Sequence, residues 1–549
     1  MTRRMPGLFL LLSILGGIVI ALPMRDLHPL LATGDSGRDL YGYWLTQRGG
    51  IPYRDYYWNF GPLMPYYFAL FLELFGGGIK SVLIGATVLR LASGICIYLI
   101  LRRLTSPVLA FLGALWFWTS SPEFYYTWNH AGAVLANLLA CYLVIAHLQR
   151  PDRRWVLYLF PVVFAAILVK ANAGAATLAA CLVSLAIIDR SRGVSLYPPN
   201  PRYLLLATAA PAAALLVYVS LVFGLPRDYL LQCFPFSPGY DPPASGNLID
   251  TVQRTFDYLS SRFTDPRAFM PGASTLLTPG PNRTFGAILA GSLLLLAVSF
   301  IRQSKAGEAR RNRVLVLSLL LVFSSFSLHE FFLSGVLHRL SWGTPLLIVL
   351  AFYLIHLALH PLPIAVKATV WLALFAAIAV DTAGVYRFAS QLKARPDQHL
   401  SLPAADLFVS NRTSWVKTVE QVTRHLEAEL APDETFFALP YDPLYYFLTE
   451  RAAPAREYIF FDFLNISERQ ERDIIARLEE RGVDTILVSN REKSDEPGLG
   501  DFGQSYGVIL HEYLKRHFRE VAEFGRWSAP PGWAWNHAVR IYRRNPGDP

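Results

Sequence analysis

GDSGRDLYGYWLTQRGGIPYRDYYWNFGPLMPYY, residues 34–67, follows the first long apolar run of the chain. It is dense in tyrosine and tryptophan, and it carries three carboxylates and three arginines: Asp35, Asp39, Asp55, Arg38, Arg48 and Arg54. Tyrosine and tryptophan rings prefer the boundary between membrane and water. A charged, aromatic segment directly after a membrane anchor therefore predicts a functional site at that boundary, held there by the rest of the chain.

The composition indicates a polytopic membrane protein. Of the 549 residues 53% are hydrophobic and only 17% are charged, whereas a soluble protein would carry about a quarter charged residues. The net charge of +9 would suggest nucleic-acid binding in a soluble protein. Here most basic residues outside the C-terminal part lie in short loops between apolar runs, so membrane orientation explains them better.

Eleven segments are apolar enough and long enough to be candidate spans: residues 7–23, 81–101, 107–121, 130–148, 155–170, 172–189, 203–224, 284–301, 313–329, 342–359 and 366–383. The first is interpreted as a retained anchor, because no clear signal-peptide cleavage site follows it. Residues 63–75 are too short and too aromatic to span, and they are predicted to lie in the interface.

Loop charge sets the predicted orientation. With the N-terminus in the cytoplasm and residues 63–75 not spanning, every strong basic cluster between spans falls on the cytoplasmic side. An odd number of spans then places the C-terminus outside the cytoplasmic (inner) membrane. The predicted architecture is an all-α polytopic bundle over residues 1–386, with outer loops 24–80 and 225–283, and an extracytoplasmic α/β domain over residues 387–549.

The last part of the chain changes character, because charges become frequent and apolar runs shorten to strand length. Its pattern predicts helices over 414–430, 467–480 and 506–518, and strands over 435–439, 485–489 and 538–542. Ser467 and Gln470 have the spacing of a capping box at the start of the second helix. These elements together indicate a small α/β domain.

Asp35 and Asp39 are the candidate catalytic residues. A carboxylate at the outer membrane face can act as general base toward a hydroxyl. Asp39 shares a helix face with Asp35 if the chain is helical from Ser36 onward, and two close carboxylates raise one pKa. The alternative, which composition alone favours, makes Asp35 a helix cap and pairs Asp39 with Arg38 or Arg54 at a wet surface.

A resemblance to a known family favours the catalytic role over this alternative. The pattern GDSGRDL, then GGIPYRDYYWNFGPLxxY, then an aromatic run and LFG, all within residues 30–105, resembles bacterial glycosyltransferases of the GT-C class. More narrowly it is similar to the branch of protein mannosyltransferases and aminoarabinose transferases (families 39 and 83). The resemblance implies a polytopic fold, a sugar taken from a polyprenyl-phosphate carrier, and an acidic catalytic base in the first outer loop.

Asp35 is the position that matches this base. The branch often has Asp-Glu there, whereas this chain has Asp35 followed by Ser36, so Asp39 or Asp55 would have to replace the second acidic residue. Arg38, Arg54, Asp55 and Arg90 are possible supporting residues. Arg90 lies inside the second predicted span, where a structural ion pair is the more frequent role for an arginine.

Lys170, His338 and Arg339 are candidates for binding the donor phosphate, which needs cations at the outer face. Lys170 separates two apolar runs and is interpreted either as a phosphate ligand or as a snorkelling anchor. Its KxNAG sequence is similar to the corresponding turn of GT-C relatives, which favours the phosphate. His338 and Arg339 form a second cationic pair, near His329 and Glu330, that either contacts the phosphate or marks the interface.

Other cofactor sites are not indicated. The sequence has no P-loop, no GxGxxG after a strand and no Cys/His cluster, and the outer loops have no DxD, so a divalent metal is not demanded, although a carboxylate cluster can still bind one. The expected function is an inverting glycosyltransferase that moves a sugar from a polyprenyl phosphate to a hydroxyl of a protein, lipid or polysaccharide. The alternatives are a flippase or transporter of a lipid-linked sugar, which should show inverted repeats, and a non-catalytic envelope protein.

Overall fold

The computed structural model describes residues 5–28, 31–32, 34–119, 128–150, 153–191, 286, 288–289, 291–295, 308–334, 339–410, 414–461, 466–493, 500–528 and 536–547. The predicted span at 203–224, the predicted loop at 225–283, most of the predicted span at 284–301 and His338 lie outside these residues.

The first two thirds of the described chain are helical. The helices are α1 (Met5–Ala21), α2 (Gly34–Gln47), α3 (Leu63–Phe75), α4 (Ile79–Leu104), α5 (Pro107–Thr119), α6 (Trp128–Gln149), α7 (Arg153–Val169), α8 (Ala171–Ser191), α9 (Glu308–Ser327), α10 (His329–Ser334), α11 (Leu340–Leu359) and α12 (Ile364–Lys393).

Six stretches of the described helices are long and apolar enough to cross a membrane: Gly7–Met24, Ile79–Leu104, Asn129–Gln149, Ala171–Ser191, Leu340–Leu359 and Ile364–Lys393. Three shorter apolar helical stretches accompany them, at Leu63–Phe75, Pro107–Thr119 and Tyr158–Val169. The expectation of a helical, multi-pass membrane protein is therefore confirmed. The count of eleven spans stays a prediction.

The membrane helices pack around α4 and α6, whose faces are buried against their neighbours. Small residues permit the close approaches. A Cβ on Gly16 or Gly17 of α1 would lie 2.5 Å from Leu115 or 2.3 Å from Trp118 of α5. By contrast, α1 and α12 expose rows of large apolar side chains, as expected for helices that face lipid.

The C-terminal region, residues 399–547, contains two small sheets. One is an antiparallel hairpin of β1 (His399–Leu402) and β2 (Ala405–Phe408). The other has the strand order β3-β4-β6-β5, in which β3 and β4 are parallel and the remaining pairs antiparallel. Its strands are β3 (Phe437–Leu439), β4 (Thr485–Ser489), β5 (Phe518–Phe524) and β6 (Val539–Arg544), and its helices are α13 (Trp415–Glu429), α14 (Leu444–Leu448), α15 (Glu468–Glu480) and α16 (Val508–His517).

Most elements expected in this region are present at or near the expected residues. The capping box at the start of α15 is formed as predicted: the Ser467 side chain accepts from the Gln470 backbone N–H, and the Gln470 side chain accepts from the Ser467 N–H. Strand β5 and the β1–β2 hairpin were not predicted. The reason for β5 is its surface position, since four of its seven residues are exposed and it lacks the apolar run that marks a buried strand.

The hairpin attaches the C-terminal region to the membrane bundle. The backbone N–H of Phe408 donates to Asp26, and His28 donates back to Phe408, which extends β2 with the chain that follows α1. At the other end, the N–H of Ile79, the first residue of α4, donates to the carbonyl of Ala404. The C-terminal region is thus joined to the ends of two candidate spans.

Candidate active site

Helix α2 brings Asp35, Arg38 and Asp39 to one face, because residues three and four apart are neighbours on a helix. The guanidinium of Arg38 lies between the two carboxylates: Nη1 is 2.9 Å from Asp35 Oδ1, and Nη2 is 2.8 Å from Asp39 Oδ1. The expected pairing of Asp39 with Arg38 is therefore present, but it is not at a wet surface, since Asp39 is fully buried. The second oxygen of Asp39 accepts a hydrogen bond of 3.2 Å from Asn129 at the start of α6.

The two carboxyl groups differ in environment. Burial acts to raise the pKa of Asp35, but the charge of Arg38 and the hydroxyl of Tyr441 outweigh it and hold that pKa below its usual value. Burial raises the pKa of Asp39 to about 6, with Arg38 opposing the shift and Asp35 adding to it. The Asp35 side chain keeps 31% of its surface exposed. Asp35 is therefore the carboxylate that is both ionised at neutral pH and open to a ligand.

A residue of the C-terminal region completes this cluster. Tyr441 donates a hydrogen bond of 2.8 Å from its hydroxyl to Asp35 Oδ1 and accepts one of 3.2 Å from Arg38 Nη1. The residue is buried, with 3% of its surface exposed. The contact depends on close packing between α2 and α14, because a Cβ on Gly37 would lie 2.8 Å from the backbone nitrogen of Leu444.

The segment WNFGP, residues 58–62, connects the Asp35 cluster on α2 with the turn between α7 and α8. The Gly61 N–H donates to the carbonyl of Val169 at 3.2 Å, and a Cβ on Gly61 would lie 1.9 Å from the carbonyl oxygen of Leu168. Only glycine fits that approach. The neighbouring Phe60 ring then lies beside two cations, with the Arg38 guanidinium 4.6 Å and the Lys170 ammonium 5.5 Å from its centre.

Lys170 is the centre of a second charged cluster. Its Nζ lies 2.6 Å from Glu330 Oε1 and 2.5 Å from His130 Nε2, and all three side chains are largely buried. Asn172 Nδ2 donates to the same Glu330 oxygen at 3.1 Å. The KxNAG turn thus supplies both the lysine and the asparagine that bind Glu330. Its glycine, Gly174, permits the tight turn, since a Cβ there would lie 2.5 Å from the Ile167 backbone.

An aromatic ring links this cluster to Arg339. The Trp342 indole stacks on His130 with 3.6 Å between ring centres, and it lies 5.0 Å from Lys170 Nζ and 5.7 Å from the Arg339 guanidinium carbon. Within the described part of the chain no carboxylate pairs with Arg339. Because Lys170 and Glu330 neutralise each other, Arg339 supplies the excess positive charge of the cluster.

A small cavity of about 30 Å³ lies beside Glu330 and is lined by residues of α6, α8, α9, α10 and α11. Polar groups on its wall include Asn137, Thr177, Ser327 and His329, and Trp342 forms part of the same wall. A space of that size holds one or two water molecules next to the Lys170–Glu330 pair.

The other residues expected to support the site lie apart from it. Arg54 and Asp55 form an exposed ion pair with each other, and Asp55 also accepts from the Ile51 N–H. Arg90 donates to the Trp118 carbonyl at 2.6 Å and lies over the Trp118 ring, which fits the structural role expected for it. In the described residues, therefore, Asp39 and not Asp55 is the carboxylate next to Asp35.

The sequence alone assigns no functional role to Tyr441, Phe60, Asn129, His130 or Trp342. Asn129, His130 and Trp342 each stand at the start of an apolar run, a position that points to one end of the bundle. Tyr441 gives no local signal, because it reaches Asp35 across 406 residues of sequence. Among the described residues, no three His, Cys, Asp or Glu side chains group as ligands for a metal ion.

The comparisons with known proteins agree with this architecture. Residues 59–218 match the family model described as dolichyl-phosphate-mannose-protein mannosyltransferase. The match includes Lys170 but begins after Asp35 and Asp39, so it does not test the roles of those two residues. No curated protein sequence matches the chain.

Two solved structures share the fold over nearly the whole chain. The oligosaccharyltransferase of Archaeoglobus fulgidus, solved with Zn and sulfate, is 10% identical with a TM-score of 0.51, covering 98% of this chain and 88% of its own. ArnT from Cupriavidus metallidurans, bound to undecaprenyl phosphate, is 12% identical with a TM-score of 0.50, covering 98% of both chains. The resemblance to GT-C glycosyltransferases of the protein-mannosyltransferase and ArnT type is thereby confirmed.

Proposed function

We propose that this protein is an inverting glycosyltransferase that moves a sugar from a polyprenyl-phosphate donor to an acceptor hydroxyl. The observation that carries the proposal is the proximity of two clusters at one end of the bundle. One presents an ionised, accessible carboxylate, Asp35. The other, joined to it through the Phe60 ring, presents the cations Lys170 and Arg339. The undecaprenyl phosphate bound to ArnT, which has the same fold, supports a donor of that class.

The chemistry assigned to these residues is a single displacement. Asp35 accepts the proton of the acceptor hydroxyl while the acceptor oxygen bonds to the anomeric carbon of the donor. The bond between that carbon and the phosphate oxygen breaks, and its electron pair leaves with the polyprenyl phosphate. A single attack from the opposite face inverts the anomeric configuration. Lys170 and Arg339 stabilise the phosphate, whose negative charge increases as it leaves.

Asp39 has a supporting role in this scheme. It is buried and faces Arg38 and Asn129, so an acceptor cannot reach it. Its position orients the guanidinium that bridges to Asp35. That guanidinium lies between the two carboxylates, where a divalent cation would otherwise be held. We therefore propose that transfer needs no metal, and chelation with EDTA should leave the rate unchanged.

We also propose that the site faces away from the cytoplasm at the inner membrane, with the N-terminus in the cytoplasm. The distribution of basic residues between the predicted spans supports this orientation. A reporter that is active only outside the cytoplasm, fused after Pro549, should be active. Activity of a cytoplasmic reporter at the same position would reverse the assignment.

The direct test is release of free polyprenyl phosphate. Detergent-purified protein is incubated with undecaprenyl-phosphate-linked hexoses and pentoses, with envelope extract as the acceptor source, and the lipid products are measured. At least one donor should be consumed by the wild type, and consumption should require Asp35. Equal turnover by Asp35→Asn, or no turnover of any donor, would contradict the proposal. Movement of the intact donor across vesicle membranes would instead favour a transporter.

A further inference from the structure

We infer that Tyr441, from the C-terminal region, is a positioning residue for Asp35: its hydroxyl fixes one carboxylate oxygen and leaves the other directed to the acceptor. The inference rests on the proposed function, in which Asp35 is the base. It assigns to the C-terminal region a part in the chemistry itself.

The hydrogen bonds to Asp35 are asymmetric. Tyr441 Oη and Arg38 Nη1 both donate to Oδ1, at 2.8 and 2.9 Å. Within the described residues no hydrogen bond reaches Oδ2. Arg38 also donates to the Tyr441 oxygen at 3.2 Å, so the three groups form a closed triangle. A carboxylate held by two donors on one oxygen cannot rotate freely, and its second oxygen keeps a fixed direction.

A second arginine, Arg491, fixes the backbone at Tyr441. Arg491, which follows β4, donates from Nη1 to the Tyr441 carbonyl at 2.7 Å and to Asp442 Oδ1 at 3.0 Å. The other terminal nitrogen of Arg491 donates to the carbonyl of Ala32 at 2.9 Å. Ala32 lies three residues before Asp35. One arginine therefore fixes both the residue that carries the phenol and the chain that leads to the base.

The alternative role for Tyr441 is to pack its ring in the core without acting on Asp35. Its ring lies edge-on to Phe461, with 5.7 Å between centres, and is buried. Tyr441→Phe keeps that ring and removes only the hydroxyl, so it separates the two roles. A suitable control is Tyr446→Phe. Tyr446 is also buried and lies in α14, but its hydroxyl accepts from the Ala438 N–H at 2.8 Å and does not contact Asp35.

The test uses the full-length protein and a readout that needs neither donor nor acceptor. A carbodiimide reacts with protonated carboxyl groups, and mass spectrometry gives the labelled fraction of Asp35 at each pH. The partly exposed Asp35 is open to the reagent. In Tyr441→Phe the midpoint of labelling should move to higher pH by about one unit, because a hydrogen bond to the charged form is lost. In Tyr446→Phe it should stay at the wild-type value.

The same variants are then assayed for polyprenyl phosphate release. Tyr441→Phe should lower kcat by about tenfold with little change in the KM for donor, as expected when only the orientation of the base is disturbed. An unchanged labelling midpoint would overturn the inference, as would a shifted midpoint with wild-type kcat. If the wild type transfers no sugar but the midpoint still shifts, the proposed function fails while the control of Asp35 by Tyr441 stands.

Discussion

Lys170 and Glu330 form an ion pair with 2.6 Å between Nζ and Oε1, and both side chains are largely buried. Removing one partner of such a pair leaves an uncompensated buried charge and destabilises a protein by roughly 3–5 kcal/mol. Loss of activity in Lys170→Ala would therefore not by itself show that Lys170 binds phosphate. The two roles have to be separated.

We expect that separation from a double variant. Lys170→Met with Glu330→Gln removes both charges, so the fold should be retained while phosphate binding is weakened. Undecaprenyl phosphate binding, measured by its effect on the melting temperature, should fall at least tenfold in affinity, because a charge-assisted contact is lost. Lys170→Arg should retain part of the affinity. Wild-type affinity in the double variant would assign Lys170 to a structural role.

Arg339→Gln tests the second cation without disturbing an ion pair. Within the described residues Arg339 has no carboxylate partner, so its loss should leave the melting temperature nearly unchanged. Affinity for undecaprenyl phosphate should fall at least tenfold, since hydrogen bonds to charged groups contribute about 1.5–3 kcal/mol. Arg54→Gln, which removes an exposed arginine away from the site, is the matched control. Equal affinities in the two variants would exclude Arg339 from the donor site.

Asp35→Asn keeps the size of the side chain but cannot accept a proton. Loss of a general base typically lowers the rate by about 10²–10⁴-fold. We expect that fall in transfer with normal insertion and normal undecaprenyl phosphate binding, compared at equal protein abundance. Asp55→Asn, at an exposed ion pair, should transfer sugar at nearly the wild-type rate. A dead Asp55→Asn beside an active Asp35→Asn would reassign the base.

Burial of Asp39 predicts that the stability of the folded protein increases as the pH falls. Its folded-state pKa of about 6 lies above the usual value near 3.8, because burial disfavours the charge. The folded state therefore binds the Asp39 proton more tightly than the unfolded state does. Protonation of Asp39 stabilises the folded state fully below the pKa that Asp39 has in the unfolded chain. This stabilisation is lost as the pH rises through about 6. The melting temperature of the wild type relative to Asp39→Asn should rise between pH 7 and pH 4. A constant difference would contradict the shifted pKa.

Gly37→Ala tests the packing that places Tyr441. The added methyl group would lie 2.8 Å from the Leu444 backbone nitrogen, so α2 and α14 would have to separate. We expect a lower melting temperature and reduced transfer, although no charged group is changed. Gly384→Ala in α12, where a Cβ meets nothing within 4 Å, should be neutral or slightly stabilising. Wild-type transfer in Gly37→Ala would show that the contact tolerates displacement.

The sequence predicted those residues and elements that a local pattern of neighbouring residues marks. Asp35, Asp39 and Lys170 were found because charged groups next to apolar runs are conspicuous, and β4 and the α15 capping box follow from short-range rules. Sequence alone did not indicate that Glu330 neutralises Lys170, because that contact joins residues 160 positions apart. Tyr441 was missed for the same reason. The sequence also did not decide whether Asp39 is buried or exposed to water. Its position next to Arg38 fits either state, and the residues that bury it are distant in the sequence.

Helix α12 contains 30 residues, which at 1.5 Å per residue makes it about 45 Å long. The hydrocarbon core of a bilayer is about 30 Å thick, so an upright α12 extends roughly 15 Å beyond it. Its last residue, Lys393, is 3.2 Å from Asp26, just after the first anchor. The C-terminal region therefore begins beside the end of the first apolar helix, next to the membrane surface.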